Sequence, residues 1–243
     1  MQYWGVTDPG CTRPQNQDTY QTEQLDKHTL LCVVCDGMGG AKSGNIASSL
    51  AVDVLVQEVK NTWVSGMDGD KIDQMLTNAV KLANFTVFDQ AQQFEEFAGM
   101  GTTLVAVLVS GKRATIVNVG DSRAYSITAD GVKQLTTDHS LVQMMVTKGE
   151  LTPEQARSYP GKNLITRAIG TEPMVECDIF HRSLEGGECL LLCTDGLSNM
   201  VDEQEILFEV VHGVNKQSSG QRLLDIAKRR GAPDNVTCVL IQV

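Results

Sequence analysis

The sequence lacks a long apolar segment. None of its apolar runs approaches the roughly 20 residues that a helix needs to span a bilayer. The first residues also lack the basic stretch and apolar core of a secretory signal. These absences argue against a membrane protein, and we expect a soluble protein of the cytoplasm.

Basic residues are also scarce. The 243 residues include 20 lysines and arginines against 30 aspartates and glutamates, which gives a formal net charge of −10. A surface with this charge repels nucleic acids and anionic membranes, so we expect neither as a partner. The charge suits a protein that collects cations, but it does not identify the cation.

No proline-rich, serine-rich or single-charge linker divides the chain, which predicts one compact domain over residues 1–243. The seven cysteines are odd in number and are scattered through apolar runs, as is typical of buried thiols in a reducing compartment. Cys32 and Cys35 form a nominal CxxC pair. Residues three positions apart on a strand point to opposite faces of the sheet. The two thiols therefore cannot meet at one zinc ion or form a redox pair, which argues against both functions.

Apolar patterning predicts at least eight strands. They begin at Gln2, Leu30, Thr102, Ala114, Arg123, Val175, Glu188 and Val236. Short turn-like connections at 110–113, 129–131 and 184–188 favour hairpins and antiparallel sheets.

Helical spacing predicts a first pair of helices, whose core faces carry apolar residues three or four positions apart. These residues are Ile46, Leu50, Ala51, Val54 and Leu55 in one helix, and Met75, Ala79, Leu82, Phe85 and Phe88 in the other. A second helical pair is predicted from about 201 and from 221. Helix pairs beside hairpin strands indicate an α+β fold, with antiparallel sheets covered by helices.

Five aspartates lie at strand edges, each beside glycine or another polar turn residue. They are Asp18, Asp36, Asp121, Asp195 and Asp234. Any one of them is explained by the common use of aspartate in turns and helix caps. If the strand edges converge, the carboxylates raise one another's pKa values unless a cation neutralises them. Oxygen ligands of this kind suit Mg²⁺ or Mn²⁺.

Eight motifs follow one another along nearly the whole chain. They are TRPQNQD at 12–18, VVCDGMGG at 33–40, MGTTLVAVLV at 100–109, NVGDSRAY at 118–125, TTDHSLV at 136–142, TRAIG at 166–170, LLCTDGLSNMV at 191–201 and PDNVTCVLI at 233–241. In this order they resemble the metal-dependent protein phosphatases of the protein phosphatase 2C type. The resemblance is greatest to the small bacterial members, which are bare catalytic domains.

The resemblance implies a four-layer α-β-β-α sandwich, in which two packed, mainly antiparallel sheets are flanked by helix pairs. A binuclear Mn²⁺ or Mg²⁺ centre is implied at one end. The equivalent ligands here are Asp36, which bridges both ions, Asp18 and the Gly37 carbonyl on one ion, and Asp195 and Asp234 on the other.

Three further roles are implied by the same resemblance. Asp121 matches a third, weaker metal site, and Asn235 orients the neighbouring Asp234 or its water. Arg13 matches the arginine that grips the phosphoryl group, for which its planar guanidinium is suited. The reaction implied is attack on phosphorus by a water or hydroxide that bridges the ions, with no phosphoenzyme.

Two positions depart from the pattern of many relatives. Met38 stands where a histidine is proposed to protonate the leaving group, so the general acid is unassigned between a metal-bound water and His139. His139 can equally be a structural or substrate-side residue. Gln17 replaces a glutamate, which lowers the negative charge near one ion and is expected either to weaken its binding or to alter the preference between Mn²⁺ and Mg²⁺, without abolishing the centre.

The segment from about 138 to 173 contains two short helical patterns and corresponds to a mobile flap that helps relatives to choose substrates. A packed helical excursion is the plainer interpretation of the same segment. We therefore expect a cytoplasmic, monomeric phosphatase that hydrolyses phosphoserine and phosphothreonine in proteins, including a cognate bacterial-type Ser/Thr kinase. The alternatives are a pseudophosphatase that binds phosphoproteins without turnover, and a phosphatase-fold regulator of one dedicated partner.

Overall fold

Eleven strands form two antiparallel sheets in the computed structural model, which describes residues 1–39 and 43–243. Gly40 of the CDGMGG motif lies outside the described residues. The strands are β1 (Gln2–Asp8), β2 (Asp18–Asp26), β3 (Thr29–Met38), β4 (Gly101–Thr102), β5 (Leu104–Ser110), β6 (Arg113–Val119), β7 (Arg123–Thr128), β8 (Gly131–Gln134), β9 (Asp178–Ser183), β10 (Cys189–Cys193) and β11 (Val236–Gln242). One sheet has the order β1-β11-β10-β7-β8. The other has the order β2-β3-β5-β6-β9, with β4 paired to the end of β3.

Seven α-helices accompany the sheets in the described part of the chain. They are α1 (Gly44–Thr62), α2 (Gly69–Gln93), α3 (Leu141–Thr147), α4 (Pro153–Ser158), α5 (Asp195–Ser198), α6 (Glu203–Leu207) and α7 (Ser219–Arg229). Helices α1 and α2 cover the sheet that contains β3, whereas α6 and α7 cover the sheet that contains β11. None of the helices in residues 1–39 and 43–243 combines the length and the apolar character required to cross a bilayer.

Strand β3 shows how the layers are held together, because its side chains alternate between two apolar layers. Leu31 and Val33 pack against α1 and α2, while Leu30 and Val34 pack against the other sheet. A third apolar layer lies between the second sheet and its helices. The three layers separate four layers of secondary structure, which confirms the predicted sandwich.

The same alternation separates the CxxC cysteines. Cys32 faces the neighbouring sheet, whereas Cys35 faces the helices. Burial raises the pKa of both thiols beyond the ordinary range of cysteine. Neither thiol is therefore poised for redox or metal chemistry.

The predicted core faces of the first two helices are partly wrong. Ile46, Leu82 and Phe85 are exposed, and 59% of Phe85 is accessible. The faces that pack on the sheet instead use smaller residues, such as Ala47 and Ala83. Small residues at these positions let the two long helices approach each other and the sheet closely, while Leu55, Met75 and Leu76 fill the rest of the buried faces.

The prediction of a hairpin at 184–188 is also wrong. This short connection joins β9 in one sheet to β10 in the other, while the turns at 110–113 and 129–131 do form hairpins. Turn chemistry specifies a reversal of direction, but it does not specify whether the two strands share a sheet. Strand β9 begins at Asp178 rather than Val175, and β8 was not predicted.

Candidate metal centre

The two sheets end together at an acidic cavity of about 470 Å³. On one sheet, Asp18 at the start of β2 pairs in register with Asp36 near the end of β3. On the other, Asp195 follows β10 as the first residue of α5, and Asp234 lies just before β11. Asp121 lies between β6 and β7. Antiparallel pairing brings these strand ends to one side of the sandwich, although they are far apart in sequence.

Asp18 is buried and Asp36, Asp121 and Asp195 are partly buried, and this loss of contact with water is the main cause of the altered acidity of these four carboxyl groups. Burial raises the pKa of Asp18 to about 7 and that of Asp121 to about 7. It also raises the pKa of Asp195, with a further contribution from Asp234. For Asp36, burial and then the charges of the other four aspartates hold the pKa well above its ordinary value. A carboxyl group in this environment is stabilised either by protonation or by a nearby cation.

One oxygen of Asp18 tests whether a cation fits. Its Oδ2 accepts a hydrogen bond of 2.9 Å from the hydroxyl of Thr194, whereas its buried Oδ1 has no hydrogen-bond partner. An unsatisfied buried carboxylate oxygen is costly, and coordination of a cation or of its water would satisfy it. The donor set of carboxylates and carbonyls is the one that hard divalent cations prefer.

The acids surround the cavity without already forming a cage. Among residues 1–39 and 43–243, no three side chains of His, Cys, Asp or Glu have the spacing of a metal cluster. One carboxylate is instead neutralised by a cationic side chain, because the Arg13 guanidinium lies 2.9 Å from Oδ2 of Asp234. This ion pair raises the pKa of Arg13. The side chain of Arg13 is 53% exposed, so it stands at the rim of the cavity.

Threonines hold Asp36 in place, and the sequence analysis missed them. The Asp36 N–H donates to Oγ1 of Thr103, and its carbonyl accepts from the Thr103 N–H and from the Thr102 hydroxyl, all within 2.9 Å. The Thr103 hydroxyl also lies 2.7 Å from that of Ser122. The sequence contains a signal for such residues, because the threonine pair of MGTTL interrupts an apolar run. Thr194 of CTDG likewise ends an apolar strand, and its hydroxyl binds Asp18.

Gly37 is required by close packing. A Cβ at this position would overlap the carbonyl oxygen of Gly44 at the start of α1 and would lie 2.6 Å from the carbonyl oxygen of Gln17. The Gly37 N–H donates to that same Gln17 oxygen at 3.1 Å. The glycine therefore lets β3, the β2 entry and α1 meet at the edge of the cavity.

Asn235 fastens the loop that carries Arg13. Its side-chain oxygen accepts from the Gln17 N–H at 2.8 Å, and its side-chain nitrogen donates to the carbonyls of Pro9 and Gln15 at 3.0 Å. Its backbone N–H donates to Oδ1 of Asp234 at 2.9 Å. The side chain thus clamps the loop, and the backbone orients the acid.

His139 lies outside the cavity wall. It is buried, its Nδ1 accepts from the Gly120 N–H at 3.0 Å, and its Nε2 lies 3.3 Å from Oδ2 of Asp178. Burial lowers the pKa of His139, which favours the neutral ring that this pattern requires. Since Nδ1 accepts, the ring proton is on Nε2 and is directed to Asp178. Both ring nitrogens are therefore engaged within the protein.

The two departures from the family pattern, Met38 and Gln17, both line the cavity. Methionine carries no transferable proton. The structure thus brings Arg13, Gly37 and four of the five predicted acids to one cavity wall, with Asp18 buried beside Asp36.

A four-layer sandwich with an acidic cavity at one end and an arginine at its rim is the arrangement of a metal-dependent phosphatase. Comparison with known protein families agrees with this assignment. The family described as "Protein phosphatase 2C" matches residues 13–229 of this chain. The chain belongs to the protein phosphatase 2C family.

Similar proteins include the serine/threonine phosphatase Stp of Listeria innocua, which is 36% identical over 97% of this chain and 93% of its own length. The crystal structure of Stp1 from Staphylococcus aureus superposes with a TM-score of 0.93 at 36% identity, and covers 99% of this chain and 94% of that one. The catalytic domain of PstP, crystallised with two manganese ions, has a TM-score of 0.85 at 33% identity over 98% of this chain and 96% of its own.

Proposed function

We propose that this chain removes phosphate from phosphoserine and phosphothreonine residues of proteins with the help of two Mn²⁺ or Mg²⁺ ions. The observation that carries the proposal is the group of carboxylates that both sheets contribute to one cavity, with Arg13 at its rim. The serine/threonine phosphatases among the similar proteins support the same substrate class.

The cavity supplies enough oxygen donors for two ions. In this proposal Asp36 would contribute to both ions, Asp18 and the Gly37 carbonyl would hold one ion, and Asp195 and Asp234 would hold the other. The unpartnered Oδ1 of Asp18 and the mutual repulsion of the carboxylates support this assignment. The manganese bound to the similar PstP domain supports the choice of a hard divalent cation.

Asp121 is proposed to serve a third, weaker site. It lines the cavity beside Asp195, and burial followed by the charge of Asp195 raises its pKa. Asp121 lies in the turn between β6 and β7.

When bound, the two ions would supply a water acidic enough to attack phosphorus in line with the leaving oxygen. The residues of the chain place the substrate for that attack. Arg13 offers two parallel N–H donors to phosphoryl oxygens and is exposed enough to turn from Asp234 toward them. The clamp by Asn235 holds the Arg13 loop in register with Asp234. Arg13 therefore orients the phosphoryl group and offsets its growing charge.

His139 is proposed as a positioning residue. Its ring supports Gly120, which has a φ of 105° and directly precedes Asp121. Its backbone carbonyl accepts from the Thr166 N–H at 2.8 Å, and Arg167 pairs with the same Asp178 at 2.8 Å. His139 thus joins the turn at Asp121 to the end of the flap. A ring with both nitrogens engaged cannot also protonate a leaving group.

The partners, the cellular location and the oligomeric state of the enzyme are proposed from other features of the chain. The flap helices α3 and α4 contain no buried residue, which suits a segment that adjusts to different phosphoproteins, a cognate Ser/Thr kinase among them. Seven free cysteines support the reducing cytoplasm. A monomer is also proposed, since none of the residues assigned to the ions or to the phosphoryl group has to come from a second copy. No observation favours the rival hypothesis of a binding module without turnover.

The decisive experiment measures phosphate release from a phosphothreonine peptide and from a small aryl phosphate, with Mn²⁺, with Mg²⁺ and with a chelator. Metal-dependent turnover is expected, and Asp36→Asn and Asp195→Asn should each lower it by more than about a hundredfold, because each removes a charge that holds an ion.

Asp130→Asn is the matched control. Asp130 also precedes a glycine at a turn, but it is exposed and far from the cavity in the β7–β8 hairpin. This variant should keep full turnover. If the folded wild-type protein releases no phosphate with either metal, the proposed function is wrong.

A further inference from the structure

A second groove, of about 570 Å³, adjoins the acidic cavity. Asp121, Asn163 and Asp195 line both, so the groove leads directly away from the position proposed for the phosphoryl group. We call it the flap groove, because residues of α3, α4 and the segment after them form one wall. The opposite wall is formed by residues from the end of α5 to the first residue of α6.

The charges on the two walls differ. Four cationic side chains line the flap groove, and two are neutralised: Arg123 by Asp138 at 2.7 Å, and Arg230 by Glu205. The other two, Arg157 and Lys162, lie on the flap and have no carboxylate at ion-pair distance among the residues that the structure describes.

The wall opposite the flap carries acids. Asp202 and Glu203 line it, and Asp202 is occupied as the cap of α6, where it accepts from the Glu205 N–H at 2.9 Å. Asp121 and Asp195 lie where the groove meets the acidic cavity, so an anionic group further along the groove is repelled from this wall and attracted to the flap. This arrangement is unusual on a chain whose net charge is −10, where most of the surface disfavours anions.

Apolar side chains on both sides of the groove are suited to contact with a peptide. Val142, Val146 and Ala156 contribute from the flap, and Met200 and Val201 from the other side. Peptide grooves commonly combine apolar contact with a few charges that select the sequence. A free phosphate or a small aryl phosphate is too short to use both the cavity and this groove.

We propose that the flap groove binds the residues beside the phosphorylated residue and selects substrates with an anionic group there, either a carboxylate or a second phosphate, through Arg157 and Lys162. The inference rests on the proposed function, since the groove matters to catalysis only if the adjoining cavity hydrolyses a phosphoprotein.

The test compares four phosphothreonine peptides that differ only in the flanking residues: neutral, glutamate, phosphoserine or lysine. For the wild-type protein with Mn²⁺, we expect kcat/KM to be about fivefold higher for the glutamate peptide than for the neutral one, the most that one exposed ion pair typically provides. The phosphoserine peptide should gain more because its charge is larger, and the lysine peptide should fall below the neutral one. The preference should fade in 0.5 M salt.

Variants of Arg157 and Lys162 then test whether these two side chains cause the preference for anionic peptides. Arg157→Ala and Lys162→Ala should each reduce the ratio of the anionic to the neutral peptide, and the double variant Arg157→Glu, Lys162→Glu should reverse it. Lys148→Ala is the matched control: Lys148 is an exposed cation at the end of α3 that does not line the groove. It should leave both the ratio and the aryl phosphate turnover unchanged.

The outcomes separate the two proposals. Turnover of the aryl phosphate and of the neutral peptide with no preference for anionic flanks overturns this inference and leaves the proposed function standing. A preference that survives the double charge reversal also overturns it. Fluorescence anisotropy of the same peptides measures the preference in binding, so the inference is decided even if no substrate turns over and the proposed function fails.

Discussion

The ring of His139 connects the turn that carries Asp121 to Asp178 on β9, although Gly120 and Asp178 are 58 residues apart in the sequence. Its Nδ1 holds the Gly120 amide beside Asp121, and its Nε2 reaches Asp178. The sequence left its role open among general acid, structural residue and substrate contact. Burial and the two ring contacts favour the structural role, because a proton donor needs a free nitrogen that faces the substrate.

Two amide substitutions separate these roles. In His139→Asn the side-chain oxygen lies near the position of Nδ1 and can still accept from Gly120, whereas in His139→Gln the amide lies nearer to Nε2 and loses that bond. We expect kcat to fall about tenfold further in the glutamine variant than in the asparagine variant. This is a typical effect of losing a hydrogen bond that holds a metal-binding segment in place. Hydrogen exchange of the Gly120 amide should be accelerated only in the glutamine variant.

The general-acid hypothesis predicts a different result. Neither amide can replace an imidazole as a proton donor, so both variants would then lose kcat equally, and the alkaline limb of the pH–rate profile would disappear from both. Equal loss with unchanged Gly120 exchange would therefore contradict the positioning role.

At the scale of elements, the edge of the cavity depends on how closely β3 approaches α1. Gly37 is the point of approach, because a Cβ there would overlap the Gly44 carbonyl oxygen. The motifs implied a role for the Gly37 carbonyl as a metal ligand, but they gave no reason for the absence of a side chain. The structure adds a steric reason that no local pattern reveals, since the neighbouring atom belongs to another element.

Gly37→Ala is therefore expected to lower the free energy of unfolding by about 1–3 kcal/mol, the usual cost of overpacking. Urea denaturation measures it. Gly186→Ala is the control, because a Cβ at Gly186 meets no atom within 4 Å. That variant should keep the wild-type stability or gain up to about 1 kcal/mol from a stiffer unfolded chain. Equal destabilisation of both variants would refute the steric explanation.

At the scale of the whole molecule, the fold gathers acids that an unfolded chain keeps apart. Burial raises the pKa of Asp18 and Asp121 to about 7 in the folded chain, above the ordinary value of about 4 for aspartate. Between these values the folded chain binds more protons than the unfolded chain. The free energy of unfolding then falls as the pH rises from about 4 to 7, and it levels off above that interval.

In the presence of a chelator, we expect the thermal midpoint to be lower at pH 8 than at pH 5 by at least about 2–4 °C, the change that 1 kcal/mol produces in a chain of this length. Asp18→Asn removes one of the titrating groups and should reduce the difference. Mn²⁺ added at pH 8 should raise the midpoint again, because it binds the ionised carboxylates of the folded chain. A midpoint that rises with pH in the chelated protein would contradict the burial of these acids.

The sequence by itself determined the α+β class and the position of the five acids at strand edges, because strand periodicity and turn residues are local properties, and the ordered motifs implied two packed sheets with those acids at one end. It could not determine which face of α1 and α2 is buried or that the turn at 184–188 changes sheets, since both depend on how separate elements pack. Nor could it assign the threonines that fix Asp36, the pairing of Arg13 with Asp234, or the cationic wall of the flap groove. Those contacts join residues that are distant along the chain, and only the tertiary structure brings them within hydrogen-bonding or electrostatic range.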